Sequence, residues 1–280
     1  MSLASPATDR SVEDAAITAE RVETKYLIEK SELPALMRAI SAELALHRFT
    51  GEAANRLPDA QHFVTTIYFD TPSRVYFRAA KSNQQSNLKI RAKEYYDLHP
   101  SLAELATDPE QILRYQPWLW FELKRREGAT TSKRRFRFPK AAAATLFDER
   151  GAPQNLPEGG SERADAEALI SQVHSQAEPI VPSAIVNYRR LSFQNADSTL
   201  RVTVDLGLSF FPVPPDIFRR ARPLCKSELG KPAGVEPCAV VEVKHRCQVP
   251  GWLEQALASA TAGAVGFSKF VAAGEAVHGG

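Results

Sequence analysis

Leu88-Lys89-Ile90-Arg91-Ala92-Lys93 alternates small or apolar residues with basic ones without a break. A β-strand sends successive side chains to opposite faces. One face of this stretch therefore carries Leu88 and Ile90, and the other carries Lys89, Arg91 and Lys93. Phe121-Glu122-Leu123-Lys124-Arg125-Arg126 repeats the arrangement, with Phe121 and Leu123 opposed to Glu122, Lys124 and Arg126. So does Val241-Glu242-Val243-Lys244. Working outward, the same phase groups Glu23 with Lys25, Lys133 with Arg135, Tyr188 with Arg190, and Arg201 with Asp205.

In one strand alone, such a pattern places apolar residues on a core and charges in water. Seven strands sharing it say more. Their charged faces hold eleven basic residues, Lys25, Lys89, Arg91, Lys93, Lys124, Arg126, Lys133, Arg135, Arg190, Arg201 and Lys244. They hold four acidic ones, Glu23, Glu122, Asp205 and Glu242, so the excess is seven positive charges. The whole chain, with 35 Lys and Arg against 33 Asp and Glu, is only +2. Positive charge is thus concentrated on one face of the expected sheet.

If that sheet closes, its apolar face packs outward against helices and its charged face lines a lumen wide enough for side chains or one small ligand. So many cations cannot share a dry interior. They call for water and a polyanion, and a narrow channel suits a linear chain of phosphates. Arg forks onto phosphate oxygens, whereas Lys is a mobile point charge. An open sheet with a basic face would suit RNA instead. The interspersed carboxylates and an aromatic content of 9% argue against RNA, which prefers stacking platforms in a uniformly basic groove. A carboxylate beside phosphates is tolerated when a hard divalent ion bridges the two. Glu242, Glu122 and Glu23 are therefore candidate ligands for Mg or Mn, with ion pairing to Lys and Arg as their alternative role.

The fold class expected is α+β: an eight-stranded antiparallel β-barrel tunnel with helices packed outside. The strands are expected at 19–28, 62–69, 87–96, 118–126, 133–138, 183–193, 200–210 and 239–246. Helices are expected at 32–46, with Ser31 as N-cap, and at 140–149, 162–177 and 251–262. Trp118 and Trp120 are expected to anchor barrel to helix. Residues 211–237 read as a long Pro-rich basic connection, a flap or loop, whose basic Arg219, Arg220, Arg222, Lys226 and Lys231 form a solvated loop or an entry guide for polyanion. The domain reading is a disordered segment at 1–18, one tunnel domain at 19–272 and a tail at 273–280.

Other classes are excluded. The longest uncharged run, Gln255–Ser268, is too short and too rich in Ser, Thr and Gly to span a bilayer, so no membrane segment is expected. The first residues have no apolar core of a secretory signal. Cys225, Cys238 and Cys247 are odd in number and lack CxxC spacing, which reads as free thiols in a cytoplasmic protein. No GxxxxGK[ST] loop is present.

RVETKYLI, TTIYFDTP, LKIRAKEY, FELKRR followed by SKRRFRF, NYRRLSF, LRVTVDLGL, VEVKH and FSKF occur in an order that resembles VTC domains. These are the polyphosphate polymerase domains of the CYTH-like, triphosphate tunnel metalloenzyme superfamily. The resemblance runs from about Arg21 to Phe270. It implies an enzyme that transfers the γ-phosphoryl of ATP to inorganic polyphosphate, with a divalent metal and no nucleic-acid partner. It implies phosphate binding by Lys25, Arg91, Lys93, Lys124, Lys133, Tyr188, Arg190, Arg201, Lys244, Ser268 and Lys269, to which the strand phase adds Lys89. Among these, Arg91, Arg190, Arg201 and Lys124 are the expected catalytic set, and Glu242 is the implied metal ligand. Arg21 stands where the wider superfamily has an extra Glu, and Lys93 where a second Arg is expected. Hydrolysis of tripolyphosphate or polyphosphate at the same site, and non-catalytic polyphosphate binding, are the alternatives. Ser268 and Lys269 read otherwise as residues capping or solvating a short helix, and Tyr188 as core filler.

Overall fold

A computed structural model of the chain describes residues 22–46, 62–84, 86–96, 118–128, 130–147, 156–220 and 223–279. The N-terminal segment 1–18 and Arg21 lie outside the described residues. All eight expected strands are present: β1 (Val22–Ile28), β3 (His62–Asp70), β4 (Ser86–Tyr96), β5 (Trp118–Glu127), β6 (Thr130–Pro139), β7 (Val181–Gln194), β8 (Leu200–Phe211) and β10 (Ala239–His245). They form one curled antiparallel sheet in the order β1-β10-β8-β7-β3-β4-β5-β6. Two short strands, β2 (Ala45–Leu46) and β9 (Gly234–Val235), pair with β7 and β8 off this path.

The register carries the charge pattern across the sheet. Arg91 stands beside Glu122, and Glu122 beside Arg135; Lys89 stands beside Lys124, and Lys124 beside Lys133. Lys25 stands beside Glu242, and Arg201 beside Lys244. The opposite face is apolar and buried under helices. Helices α1 (Leu33–Glu43) and α5 (Gly251–Ala260) cover Val202, Val204, Val241 and Val243. Helix α3 (Gly160–His174) and a 3₁₀ helix (Lys140–Phe147) pack over Leu119, Phe121, Phe136 and Phe138. The apolar face is therefore the outer one, and the charged face lines the lumen.

The two ends of the sheet, β1 and β6, are satisfied separately, and among the described residues they are not paired with each other. The β6 edge donates Arg135 N–H to Asp165 and Arg137 N–H to Glu162, both on α3. The β1 edge offers Lys25 C=O to Val265 N–H at 2.8 Å. Covering an edge in this way blocks stray pairing.

Local details differ from the sequence expectation. Ser31 is not the cap of α1; the helix starts at Leu33 with no side-chain cap and with Pro in its first turn. It stops at Glu43 because Ala45 and Leu46 pair with Gln194 and Phe193. Helices α2 (Val75–Lys81) and α6 (Lys269–His278), and the four-residue helix Lys226–Leu229, were not expected. The segment from 273, expected as a tail, lies largely inside α6, where Ala273 and Gly274 are buried. Gly274 is needed there: a Cβ would sit 2.4 Å from the Phe77 ring.

The described residues of 211–237 do not guard a lumen mouth as a flap. They form a strap over the outer face, and they include the short helix α4 (Lys226–Leu229) and β9. Leu224 is fully buried; its N–H donates to Glu94 and its C=O accepts from Thr65. Arg220 pairs with Asp216, and Lys226 donates to Gly207 C=O, so these cations serve the strap's own structure.

Candidate active site in the lumen

Each strand phase delivers its charged side chains to one space, where they sort around the carboxylates. Glu122 is 2% exposed and enclosed by cations. Arg91 reaches it through Nε at 2.7 Å and Nη2 at 2.5 Å, while Lys93 and Arg135 each approach to 3.5 Å. Burial pushes the Glu122 carboxyl up, but Arg91, Lys93, Lys133 and Arg135 together hold it well below its ordinary value. Burial pushes the Lys93 ammonium well down, aided by Arg91 and against the pull of Glu122. Glu122 was expected as a metal ligand. Its contacts are those of its alternative role, ion pairing, with Arg91, Lys93 and Arg135 gathered around one carboxylate.

Asp205 plays the same part on the other wall. Arg190 grips it with both Nε at 2.6 Å and Nη2 at 2.7 Å, and Lys269 Nζ lies at 2.6 Å. Burial raises the Asp205 carboxyl, yet Arg190 and Lys269 hold it below the usual value. Tyr188 is buried beneath both cations, with Arg190 at 5.4 Å and Lys269 at 5.1 Å from its ring. Asp205 was read as a lumen residue but was absent from the expected site set.

Glu23 and Glu242 form the third group. Lys244 Nζ contacts both carboxylates, and Lys25 Nζ lies 3.3 Å from Glu23. Burial and Glu242 raise the Glu23 carboxyl, but Lys244, Lys124 and Lys25 outweigh them and hold it low. Burial likewise raises Glu242, and Lys244, Arg190 and Lys25 hold it well below its ordinary value. Thr203, in register with Glu242, has a buried hydroxyl with no hydrogen-bond partner.

A divalent ion fits this third group only in part. Two carboxylates and an unpartnered hydroxyl offer hard oxygen donors, as Mg or Mn requires. Among the described residues, no group of three or more His, Cys, Asp and Glu side chains could hold a metal. The remaining ligands of an ion at Glu23 and Glu242 would have to be water and phosphate oxygens.

Lys89 and Lys124 have no carboxylate within ion-pair distance among the described residues. Lys89 Nζ donates to Ser268 Oγ at 3.1 Å, and Ser268 also accepts from Val271 N–H as the cap of α6. Ser268 and Lys269 thus open a helix rather than follow one. Burial, together with Lys25, Lys124 and Arg91, pushes the Lys89 ammonium down to about 8. Lys25 Nζ donates to Phe267 C=O at 3.2 Å, and Arg201 Nε to Gln194 at 2.6 Å. Lys133 is on the same face and more exposed.

Three further lumen residues were misread or missed. Trp120 does not anchor a helix. It lies on the lumen face in register with Lys93 and Arg137, with Arg135 stacked 4.0 Å from its ring. Its two-residue spacing from Glu122 was the available signal. Arg135 shares the phase of Lys133 and was not carried into the site set. Tyr68 of β3 stands beside Arg91 and is buried; it lies in the TTIYFDTP motif, but charge alternation did not mark it. Arg126, counted on the charged face, turns to Gly128 C=O and Asn83 at the rim. Lys269 enters in its place, so these lumen groups still number eleven cations and four carboxylates among the described residues.

A model of the VTC domain family matches residues 20–278. A search of curated protein sequences finds no match. Among solved structures, the chain is similar to a protein from Hippeastrum, named as an adenylyl cyclase and described as having a dominant triphosphatase activity. The identity is 12%, the TM-score 0.44, and the coverage 91% of this chain and 95% of that one. It is also similar to a protein from Bacillus halodurans named as an adenylate cyclase, at 13% identity and TM-score 0.41 over 85% and 84% of the two chains. A protein from Pyrococcus horikoshii OT3 matches at 11% identity and TM-score 0.41 over 90% and 94%. Likenesses at this level carry nothing about the reaction of this chain. No helix among the described residues is long and apolar enough to cross a membrane.

Proposed function

From the premise that the chain belongs to the VTC domain family, we propose that it transfers the γ-phosphoryl group of ATP to the end of an inorganic polyphosphate chain held in the lumen. The observation that carries this reading is the lumen's uncompensated charge. Among the described residues eleven cations face four carboxylates there, and neither Lys89 nor Lys124 has a carboxylate within ion-pair distance. Such a cavity is stable only with a polyanion or with water in it.

Phosphoryl transfer asks the protein for position and charge neutralisation rather than for a nucleophile. An oxygen of the acceptor's terminal phosphate attacks the γ-phosphorus, and the bond from that phosphorus to the bridging oxygen breaks. ADP leaves with the electron pair. Arg91 and Arg190, each locked by a buried carboxylate, present their remaining N–H groups to phosphate oxygens in a fixed direction. Arg201, held by Gln194, and Lys124 add charge where the leaving group accumulates it. Glu23 and Glu242, with the Thr203 hydroxyl, would hold a divalent ion, which supplies further neutralisation between phosphate oxygens when bound.

The test is incubation of the protein with ATP, a short polyphosphate primer and Mg or Mn, with products resolved by length. Chain growth with release of ADP is expected. Orthophosphate alone would replace transfer by hydrolysis at the same site. Tight polyphosphate binding with no product would reduce the protein to a binding module.

A further inference from the structure

The β5–β6 hairpin has a second polar feature, on the face that points away from the lumen. Near the base of the hairpin that outer face is sealed, with Phe121, Phe136 and Phe138 packed in one core with Ala166, Leu169 and Val173 of α3. Toward the tip the seal opens into a cleft of about 340 Å³. Arg125, Ser132 and Arg134 line it on the sheet side, and Ser171, Gln172 and Ser175 on the helix side. Alternation makes this a separate place from the lumen, since Arg125 lies between Lys124 and Arg126 in the chain and Arg134 between Lys133 and Arg135.

The seam between α3 and β6 accounts for the opening. Glu162 accepts the Arg137 N–H, and one turn later Asp165 accepts the Arg135 N–H. The next position in that series is Ala168, which has no polar side chain to offer. Two guanidiniums therefore border a cleft whose own lining contains no carboxylate. Their ion pairs run to its rim and are long. Arg125 Nη1 lies 3.5 Å from Glu127, and Arg134 Nη1 lies 3.6 Å from Asp165, whose other oxygen accepts the Arg135 N–H. Arg125 is oriented by Gln172, which accepts from its Nη2. Gln172 and Arg125 also act on the Tyr76 hydroxyl, which is buried without a hydrogen-bond partner, so an unmet polar atom stands beside the cleft.

A dianion matches two guanidiniums in charge, and Arg forks onto phosphate oxygens. The volume reaches the lower end of small-molecule sites, roughly 300–1,000 Å³, and is more than a bare oxyanion fills. Leu123 and Ala168 supply an apolar floor, and three serine hydroxyls stand around it. That lining suits a short hydroxylated body attached to the phosphate.

We propose that this cleft is a second anion site, outside the barrel, which binds a small organic phosphate monoester between the β5–β6 hairpin and α3. It is independent of the lumen reading and stands whether or not the lumen takes polyphosphate. A ligand bound there ties α3 to the back of the strands that carry Lys124 and Lys133.

The experiment titrates the full chain with glycerol 3-phosphate as the probe, and with inorganic phosphate and glycerol as controls, by calorimetry. Saturable binding of glycerol 3-phosphate is expected, tighter than that of inorganic phosphate, with none for glycerol. Arg125→Gln and Arg134→Gln should each weaken it about tenfold, as loss of one charge-assisted contact implies. Ser171→Leu should weaken it as well, by filling the space while leaving every charge in place. Lys124→Gln, on the lumen face of the same strand, should leave it unchanged. Arg125, Arg134 and Ser171 are exposed, so these variants report binding by a folded chain. No saturable binding of the probe would overturn the site. Binding lost in Lys124→Gln and kept in the arginine variants would overturn it too, by placing the probe in the lumen. Inorganic phosphate bound as tightly as the ester, with Ser171→Leu without effect, would reduce the cleft to a cationic surface and overturn it equally.

Discussion

Two polar clusters are built on opposite faces of the same strands, and they differ in stoichiometry. On the outer face, Lys140 Nζ lies 2.7 Å from Glu94, whose other oxygen accepts the Leu224 N–H. Asn187 donates to Thr65 and Tyr96, and Thr65 donates to Leu224 C=O. One cation meets one carboxylate, and every arm of the carboxylate is used. On the lumen face, three cations crowd Glu122, while among the described residues Lys89 and Lys124 have no carboxylate within ion-pair distance. A closed polar network fixes a strap to a sheet. An unbalanced one is the mark of a ligand site, because only a further anion can complete it.

The largest test of this contrast compares Glu122→Gln with Lys140→Met. Each strands buried charge, and each should cost about 3–5 kcal/mol in denaturant unfolding. They should part when tripolyphosphate is added. The ligand-induced rise in melting temperature should be wild-type in Lys140→Met and larger than wild-type in Glu122→Gln, where the anion meets one less carboxylate. Equal rises would erase the distinction between the two clusters.

Acid should separate the faces next. Glu122, Glu242 and Asp205 have carboxyls held below their ordinary values of 4.5, 4.5 and 3.8. Groups depressed in the folded state stabilise it above those ordinary values, and that stability is lost as pH falls below them and through the lower folded-state values. Glu94 is raised instead, by burial and despite Lys140, so its contribution has the opposite sign and fades as pH rises through its folded value. Unfolding free energy measured against pH should flatten on its acid side in Glu122→Gln and not in Glu94→Gln.

A smaller effect is expected at the seam. Gly274→Ala drives a methyl group into the Phe77 ring and should cost about 1–3 kcal/mol by overpacking. It should also weaken tripolyphosphate binding modestly, since α6 carries Ser268 and Lys269 into the lumen. Full stability in this variant would show that α6 is free to shift. The smallest effect is protonic. Lys89 titrates near 8 without ligand, and a bound anion favours its charged form. Polyphosphate binding near that pH should take up less than one proton, seen as a dependence of calorimetric heat on buffer ionisation. Proton release would contradict the crowding of cations around Lys89.

Strand positions, their shared phase and the excess of seven positive charges were legible in the sequence, because period-two alternation is a local property that backbone geometry enforces. It named Lys25, Lys89, Arg91, Lys124, Arg190, Arg201, Glu242 and Lys244 as neighbours from residues more than two hundred positions apart. It also placed the apolar face outward once the charges were assigned to a lumen. It could not assign a job to each carboxylate. Glu122, Asp205 and Glu242 look alike in sequence, each flanked by valine, leucine or phenylalanine, and the cations around each come from other strands through register and curl. The role of Trp120, the use of 211–237 as an outer strap, and the arrival of Ser268 and Lys269 through α6 were likewise decided by packing between distant segments. Alternation fixes which face a side chain takes; only tertiary contact decides which charge it meets there.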